Sequence, residues 1–164
     1  MAGRITKSED QLRPDPKYRN KTLAKFINCV MSDGKKSVAE RVVYDAMEVI
    51  ERRLKKDKHP DNFESAIEVF EKAIQNVKPR LEVRSKRIGG ANYQVPMPVK
   101  QRRQQSLAFR WIIASCRKER GRPMHERLAD ELYAASKGEG KAMSTREQTH
   151  RMAEANKAFA HFAY

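Results

Sequence analysis

The chain has 164 residues, 35 of them Lys or Arg against 21 Asp or Glu, for a formal net charge of +14. That length is about one domain and buries roughly 70% of the unfolded surface; 39% hydrophobic residues supply a core, while a mean hydropathy of −0.84 leaves little apolar material beyond it. Nowhere do 18 apolar residues run together, so a membrane-spanning helix is excluded, and the charge excess points instead to a polyanionic partner in a cytoplasmic setting.

In chain order, residues 1 to 19 show no apolar period, and Arg4, Lys7, Arg13, Lys17 and Arg19 mixed with Pro14 and Pro16 read as an extended basic tail that can order on RNA. From Asn20, Leu23, Phe26, Ile27, Val30 and Met31 recur at the spacing of one helix face, until Asp33-Gly34 breaks the pattern. Ser37 with Glu40 reads as a capping box for a second helix with Val38, Val42, Met47, Ile50 and Leu54 on its buried stripe. After the loop Lys55 to Pro60, Asp61 and Glu64 repeat the capping logic before a third stripe of Phe63, Ile67, Phe70, Ile74 and Val77, which Pro79 ends.

The stretch Lys78 to Arg110 departs from this pattern. It carries nine cations, Lys78, Arg80, Arg84, Lys86, Arg87, Lys100, Arg102, Arg103 and Arg110, against Glu82 alone, more than half of the excess charge of the whole chain. Two alternating segments flank the tip Gly89-Gly90, which reads as a β-hairpin over about 80 to 96. Leu81 and Val83 fall on one face, and Arg80, Glu82, Arg84 and Lys86 on the other. Tyr93 and Val95 alternate with Asn92 and Gln94 on the second arm, and Pro96 and Pro98 are expected to stop it. A two-stranded ribbon is marginal alone in water, so it is expected to stand out from the body and be steadied by a partner. Its cations suit phosphates, its amides base edges, and Tyr93 the face of a base.

A fourth helix from about Arg102 carries Leu107, Trp111 and Ile112, with Phe109, Ile113 and Cys116 beside them. Gly121 and Pro123 precede a fifth with Met124, Leu128, Leu132 and Ala135; Ser144 and Glu147 read as the capping box of a last helix with a narrow stripe of Met152, Ala155 and Phe159, suited to docking on a partner. The fold expected is mainly α: one helical domain of about six helices over 20 to 159 with a protruding two-stranded β-ribbon between the third and fourth, a basic tail at 1 to 19 and a short tail at 160 to 164.

Catalytic chemistry finds no support. His59, His125, His150 and His161 lack partners at metal-ligand spacing and read as surface residues. Cys29 and Cys116 lie within apolar helical patterns and read as reduced and buried. SDGKKS, Ser32 to Ser37, is not a phosphate-binding loop: Cys29 stands where a P-loop needs its first Gly, and Lys36 where it needs Ser or Thr. Lys35 and Lys36 at a helix start remain candidate phosphate contacts. No metal, cofactor or small-molecule substrate is expected.

NKTLAKFINCVMSDGKKSVAERVVYDA (Asn20 to Ala46), KPRLEVRSKRIGGANYQVP (Lys78 to Pro96), the following RRQQSLAFRWI and the closing HRMAEANKAFAHF (His150 to Phe162) resemble the small-subunit ribosomal protein seven family, the last in its bacterial and organellar branch. The resemblance implies a helical body with a β-ribbon and no enzymatic activity. It implies primary binding to small-subunit ribosomal RNA at a multi-helix junction of the 3′ major domain, nucleating the head of the subunit. It implies that Lys35, Lys36, Lys78, Arg80, Arg84, Lys86, Arg87, Lys100, Arg102, Arg103 and Arg110 meet ribosomal RNA. The ribbon residues Arg84, Lys86, Arg87, Gly89, Gly90, Asn92, Tyr93 and Gln94 would then lie near the exit-site transfer RNA, with small-subunit proteins nine and eleven as neighbours. The acidic residues Glu9, Asp10 and Asp15 near the N-terminus favour a bacterial over an organellar setting. An architectural DNA-binding protein with a ribbon arm is the competing class; a membrane-surface protein would need a basic amphipathic helix, and none is found.

Overall fold

A computed structural model describes residues 12–56 and 63–163. Among them lie six α-helices, α1 (Lys21–Val30), α2 (Lys36–Lys56), α3 (Ala66–Val77), α4 (Gln101–Lys118), α5 (Met124–Ser136) and α6 (Lys141–Ala155), and one antiparallel hairpin, β1 (Leu81–Ile88) with β2 (Ala91–Pro98), between α3 and α4. A short 3₁₀ helix, Lys157–Ala163, follows α6. This is the helical body with a ribbon that the hydrophobic periodicity predicts. The expected cap residue Asp61, His59 and the start of the basic tail lie outside the described residues.

The core is built from the helix stripes. Leu23, Phe26 and Ile27 of α1, Val43, Met47 and Ile50 of α2, Val69, Phe70 and Ile74 of α3, Phe109 and Ile112 of α4 and Leu128 and Leu132 of α5 are buried together. Phe26 sits at the middle, edge-on to Phe70 at 5.3 Å and to Phe109 at 5.2 Å between ring centroids, the arrangement that ring quadrupoles favour. Helix α5 packs against α2, α3 and α4 and closes the bundle. Trp111, expected in the core, is half-buried at its edge.

Helix starts differ from the expected capping boxes. Asn20 caps α1 as expected of its side chain, its Oδ1 accepting from the Thr22 and Leu23 amides. Helix α2 begins at Lys36, so Ser37 is inside its first turn, and the buried face runs through Ala39, Val43 and Ala46 while Val38 is exposed. Alanine, which a search for large apolar residues passes over, is what lets α2 approach its neighbours here. At α3 the cap is Ser65, and Glu68 reaches back to the Glu64 amide and the Ser65 hydroxyl. Helix α6 is capped by another helix: the buried Glu131 of α5 accepts from the Ala142 amide at 2.6 Å, beside Gly140. Gly140 has φ +101°, and a Cβ there would stand 3.1 Å from that carboxylate. Ser144 lies within the first turn of α6, and Met152 is exposed while Ala142, Met143 and Ala153 face inward.

The end of the expected N-terminal tail is tied to the body. Asp15, 3% exposed, accepts from the Lys17 and Tyr18 amides and from the Tyr44 hydroxyl of α2. Of the cysteines, Cys116 is buried, its thiol pushed up to about 12 by desolvation, whereas Cys29 is exposed on α1, contrary to expectation.

Candidate nucleic-acid interface

Two of the described α-helices carry no carboxylate: α1, KTLAKFINCV, and α4, QRRQQSLAFRWIIASCRK. They lie side by side. On α4, Arg103, Arg110 and Arg117 recur every seven residues and so share a face. Between the start of α4 and α1 runs a groove of about 640 Å³ lined by Lys25, Asn28, Lys100, Arg102, Arg103 and Ser106. Ser106 also borders the next hollow, about 550 Å³, walled by Cys29, Arg110, Arg117 and Lys118. Arg117 in turn reaches the corner between α1 and α2, which Ser32, Asp33 and Lys35 line. These hollows share Ser106 and Arg117 as walls and form one open trough rimmed by cations, which suits a phosphate backbone.

Arg117 helps shape the trough. Its guanidinium donates to the Val30 carbonyl at 3.1 Å and the Ser32 hydroxyl at 3.2 Å, placing a cation on the last carbonyl of α1, where the helix dipole favours it. Its side chain is therefore part fastener and part surface.

The ribbon continues the basic surface beyond the trough. Ile88 pairs with Ala91 across a two-residue turn in which Gly89 and Gly90 have φ +57° and +88°, the doubly left-handed turn matched to strand twist. The register places Ser85, Arg87, Asn92 and Gln94 on one face and Glu82, Arg84, Lys86, Tyr93 and Val95 on the other. Near the tip the first face is exposed along its length. Pro96 and Pro98 do not stop β2, because the Val99 amide donates to the Arg80 carbonyl; alternate amides in β2 thus point inward, and both prolines occupy outward positions where no donor is needed.

The ribbon is less isolated than expected. Tyr93 packs against Phe159 and Phe162 of the 3₁₀ helix, with centroids 5.1 and 5.4 Å away, and the Lys86 ammonium donates to the Phe162 carbonyl at 2.8 Å. Helix α6 adds His150, whose Nε2 accepts the Arg80 amide at 3.1 Å. Burial and the nearby Arg146 and Arg80 hold His150 below its usual range, consistent with a neutral acceptor. Of the expected last stripe, Phe159 alone docks on the chain's own ribbon, while Met152 and Ala155 are exposed. At the ribbon base the expected faces are exchanged: Glu82 is 8% exposed and Leu81 37%, because Glu82 pairs with Arg84 and Arg103.

The sequence-derived residues divide into groups. Lys100, Arg102, Arg103 and Arg110 border the trough. Arg84, Lys86, Arg87, Gly89, Gly90, Asn92, Tyr93 and Gln94 lie on the ribbon. Lys35 lines the α1–α2 corner, and Lys36 beside it pairs with Glu40 at 3.8 Å. Lys78, bonded to Gln75, and Arg80, which lines a separate cleft with His150 and Glu154, are not in the trough. Sequence reasoning passed over Lys25, Arg117 and Lys118; the seven-residue arginine spacing and the want of acids in two helices are the signals that point to them.

Among protein families, the chain matches that of ribosomal protein S7p/S5e over residues 2–157. It is 58% identical to the small ribosomal subunit protein uS7 of Rhodopirellula baltica, with 99% of each chain covered. It is 50% identical to the uS7 of Magnetococcus marinus over the full length of both, and 49% identical to that of Thermotoga maritima over 94% of each.

Proposed function

The chain belongs to the ribosomal protein S7p/S5e family, and from that premise we propose that it is a structural protein of the small ribosomal subunit that binds ribosomal RNA without turnover. The observation that carries the reading is the trough between two helices free of carboxylates, running on into a ribbon whose only acid is already neutralised by two arginines. A surface so rich in cations, with Asp33 at the α1–α2 corner the one exposed acid among the described residues lining it, suits the charge of an RNA backbone.

In this reading Lys25, Lys35, Lys100, Arg102, Arg103 and Arg110 hold phosphates at a junction in the 3′ major domain, and binding nucleates the head of the subunit. The exposed ribbon face, Arg87, Asn92 and Gln94, contacts RNA beyond the junction, with the Gly89-Gly90 tip toward the exit-site transfer RNA. Arg84 and Lys86 contribute from the opposite face; Tyr93 supports the ribbon through Phe159 and Phe162 rather than offering a free ring to a base. Lys36, Lys78 and Arg80 contact phosphates at the margins. Small-subunit proteins nine and eleven are proposed neighbours, and a bacterial cytoplasm the setting.

Filter binding to a 3′ major domain fragment, with duplex DNA as competitor, tests the reading. Retention of the RNA against excess duplex is expected. Equal displacement would mean a nonspecific polycation and favour the DNA-binding alternative.

A further inference from the structure

Glu82 is the one carboxylate of the ribbon, and it lies buried within a surface otherwise devoted to cations. Its two oxygens are divided between elements. Oε1 accepts from the Nε of Arg84, two residues on in β1, at 2.6 Å; Oε2 accepts from the Nε of Arg103, in the first turn of α4, at 3.1 Å. Both arginine side chains stay about half exposed, at 55% and 42%, while that of Glu82 is 10% exposed. A guanidinium has five N–H donors in a rigid plane. Fixing Nε on a buried carboxylate sets that plane and leaves further donors facing solvent.

We propose that Glu82 is a positioning residue for RNA: it holds Arg84 and Arg103 as an oriented pair, one on the ribbon and one at the mouth of the trough, so that their outward donors meet phosphates at a fixed separation. This rests on the RNA-binding reading above. Orientation of this kind favours a folded RNA whose phosphates match that separation over a regular duplex, because the arginines then bind with little ordering left to do. Glu82 also subtracts one charge from the surface, which weakens attraction to any polyanion. The two effects pull in opposite directions, and that opposition makes the proposal testable.

Glu82→Gln keeps the shape and removes the charge. Simple electrostatics predicts tighter binding to every nucleic acid. Positioning predicts about tenfold weaker binding to the 3′ major domain fragment, with binding to a duplex RNA unchanged or about threefold tighter. In an Arg84→Ala/Arg103→Ala background the loss on the folded RNA should vanish, since no pair remains to orient. The Nε–H signals of Arg84 and Arg103, read by NMR in the free protein, should be slow to exchange in the wild type and broaden in Glu82→Gln. Tighter binding of the variant to both RNAs would overturn the proposal, as would a parallel loss on both accompanied by a lower Tm, which would make Glu82 a strut. Unchanged Nε–H signals would overturn it without reference to any RNA. A wild type that does not prefer the folded fragment would sink the RNA-junction reading instead.

Discussion

At the scale of single residues, burial separates side chains that hold the fold from those that meet a ligand. Phe26, fully buried between Phe70 and Phe109, belongs to the first kind: Phe26→Ala should destabilise by about 3–5 kcal/mol in denaturant unfolding. Arg110 is exposed on the wall of the trough. Arg110→Ala should leave Tm within about a degree and lower the slope of log K against log salt by about one. His150 ties α6 to Arg80, just before β1, as a neutral acceptor, with its pKa held below the ordinary value by burial and by Arg146 and Arg80. The folded state therefore binds fewer protons than the unfolded chain just below the free-histidine pKa, about 6.5. The stability His150 contributes is complete above that value and is lost as pH falls through the lowered one. Thermal unfolding between about pH 7.5 and 5 should show a larger drop for the wild type than for His150→Gln, and equal drops would contradict this role.

At the scale of elements, the ribbon depends on the chain's C-terminal end. Tyr93, Phe159 and Phe162 form a small aromatic cluster outside the main core; such contacts are worth about 0.5–1.5 kcal/mol each. Phe159→Ala should loosen the ribbon alone: tryptic cleavage at Arg87 should speed several-fold while the Tm of the body barely moves. This clasp was not legible in the sequence, because Tyr93 and Phe159 are far apart along the chain and no periodicity links the ribbon to the segment that carries Phe159 and Phe162. The helices were legible, since Leu23, Phe26, Ile27 and Val30 or Phe70, Ile74 and Val77 repeat at helical spacing and no other structure buries them. The second stripe was misread where Ala39, Val43 and Ala46 outcompete Val38 for the inside. Pattern reading weights side-chain size, whereas close helix packing selects small residues. The prolines of β2 misled for a related reason: their effect depends on which way an amide points, and that is fixed by register.

At the scale of the molecule, charge is distributed by element. Helices α2 and α3 bear Glu40, Asp45, Glu48, Glu51, Glu68 and Glu71, whereas α1 and α4 bear none. The total of +14 therefore understates the field over the trough and ribbon. The concentration of cations in Lys78 to Arg110 was readable from sequence; the union of that segment with Lys25 and Arg117 required the packing of α1 on α4. If about eight phosphates are engaged, raising salt from about 50 to 200 mM should weaken RNA binding by about 10⁴-fold. The most direct test of a single anion-binding face is lysine acetylation read by mass spectrometry, with and without the 3′ major domain fragment. Lys25, Lys35 and Lys100 should be protected by RNA, while Lys56 and Lys72, exposed on the carboxylate-bearing helices α2 and α3, should react as in the free protein. Protection spread evenly over all five, or protection of Lys56 and Lys72 with Lys25 and Lys100 still reactive, would contradict the account.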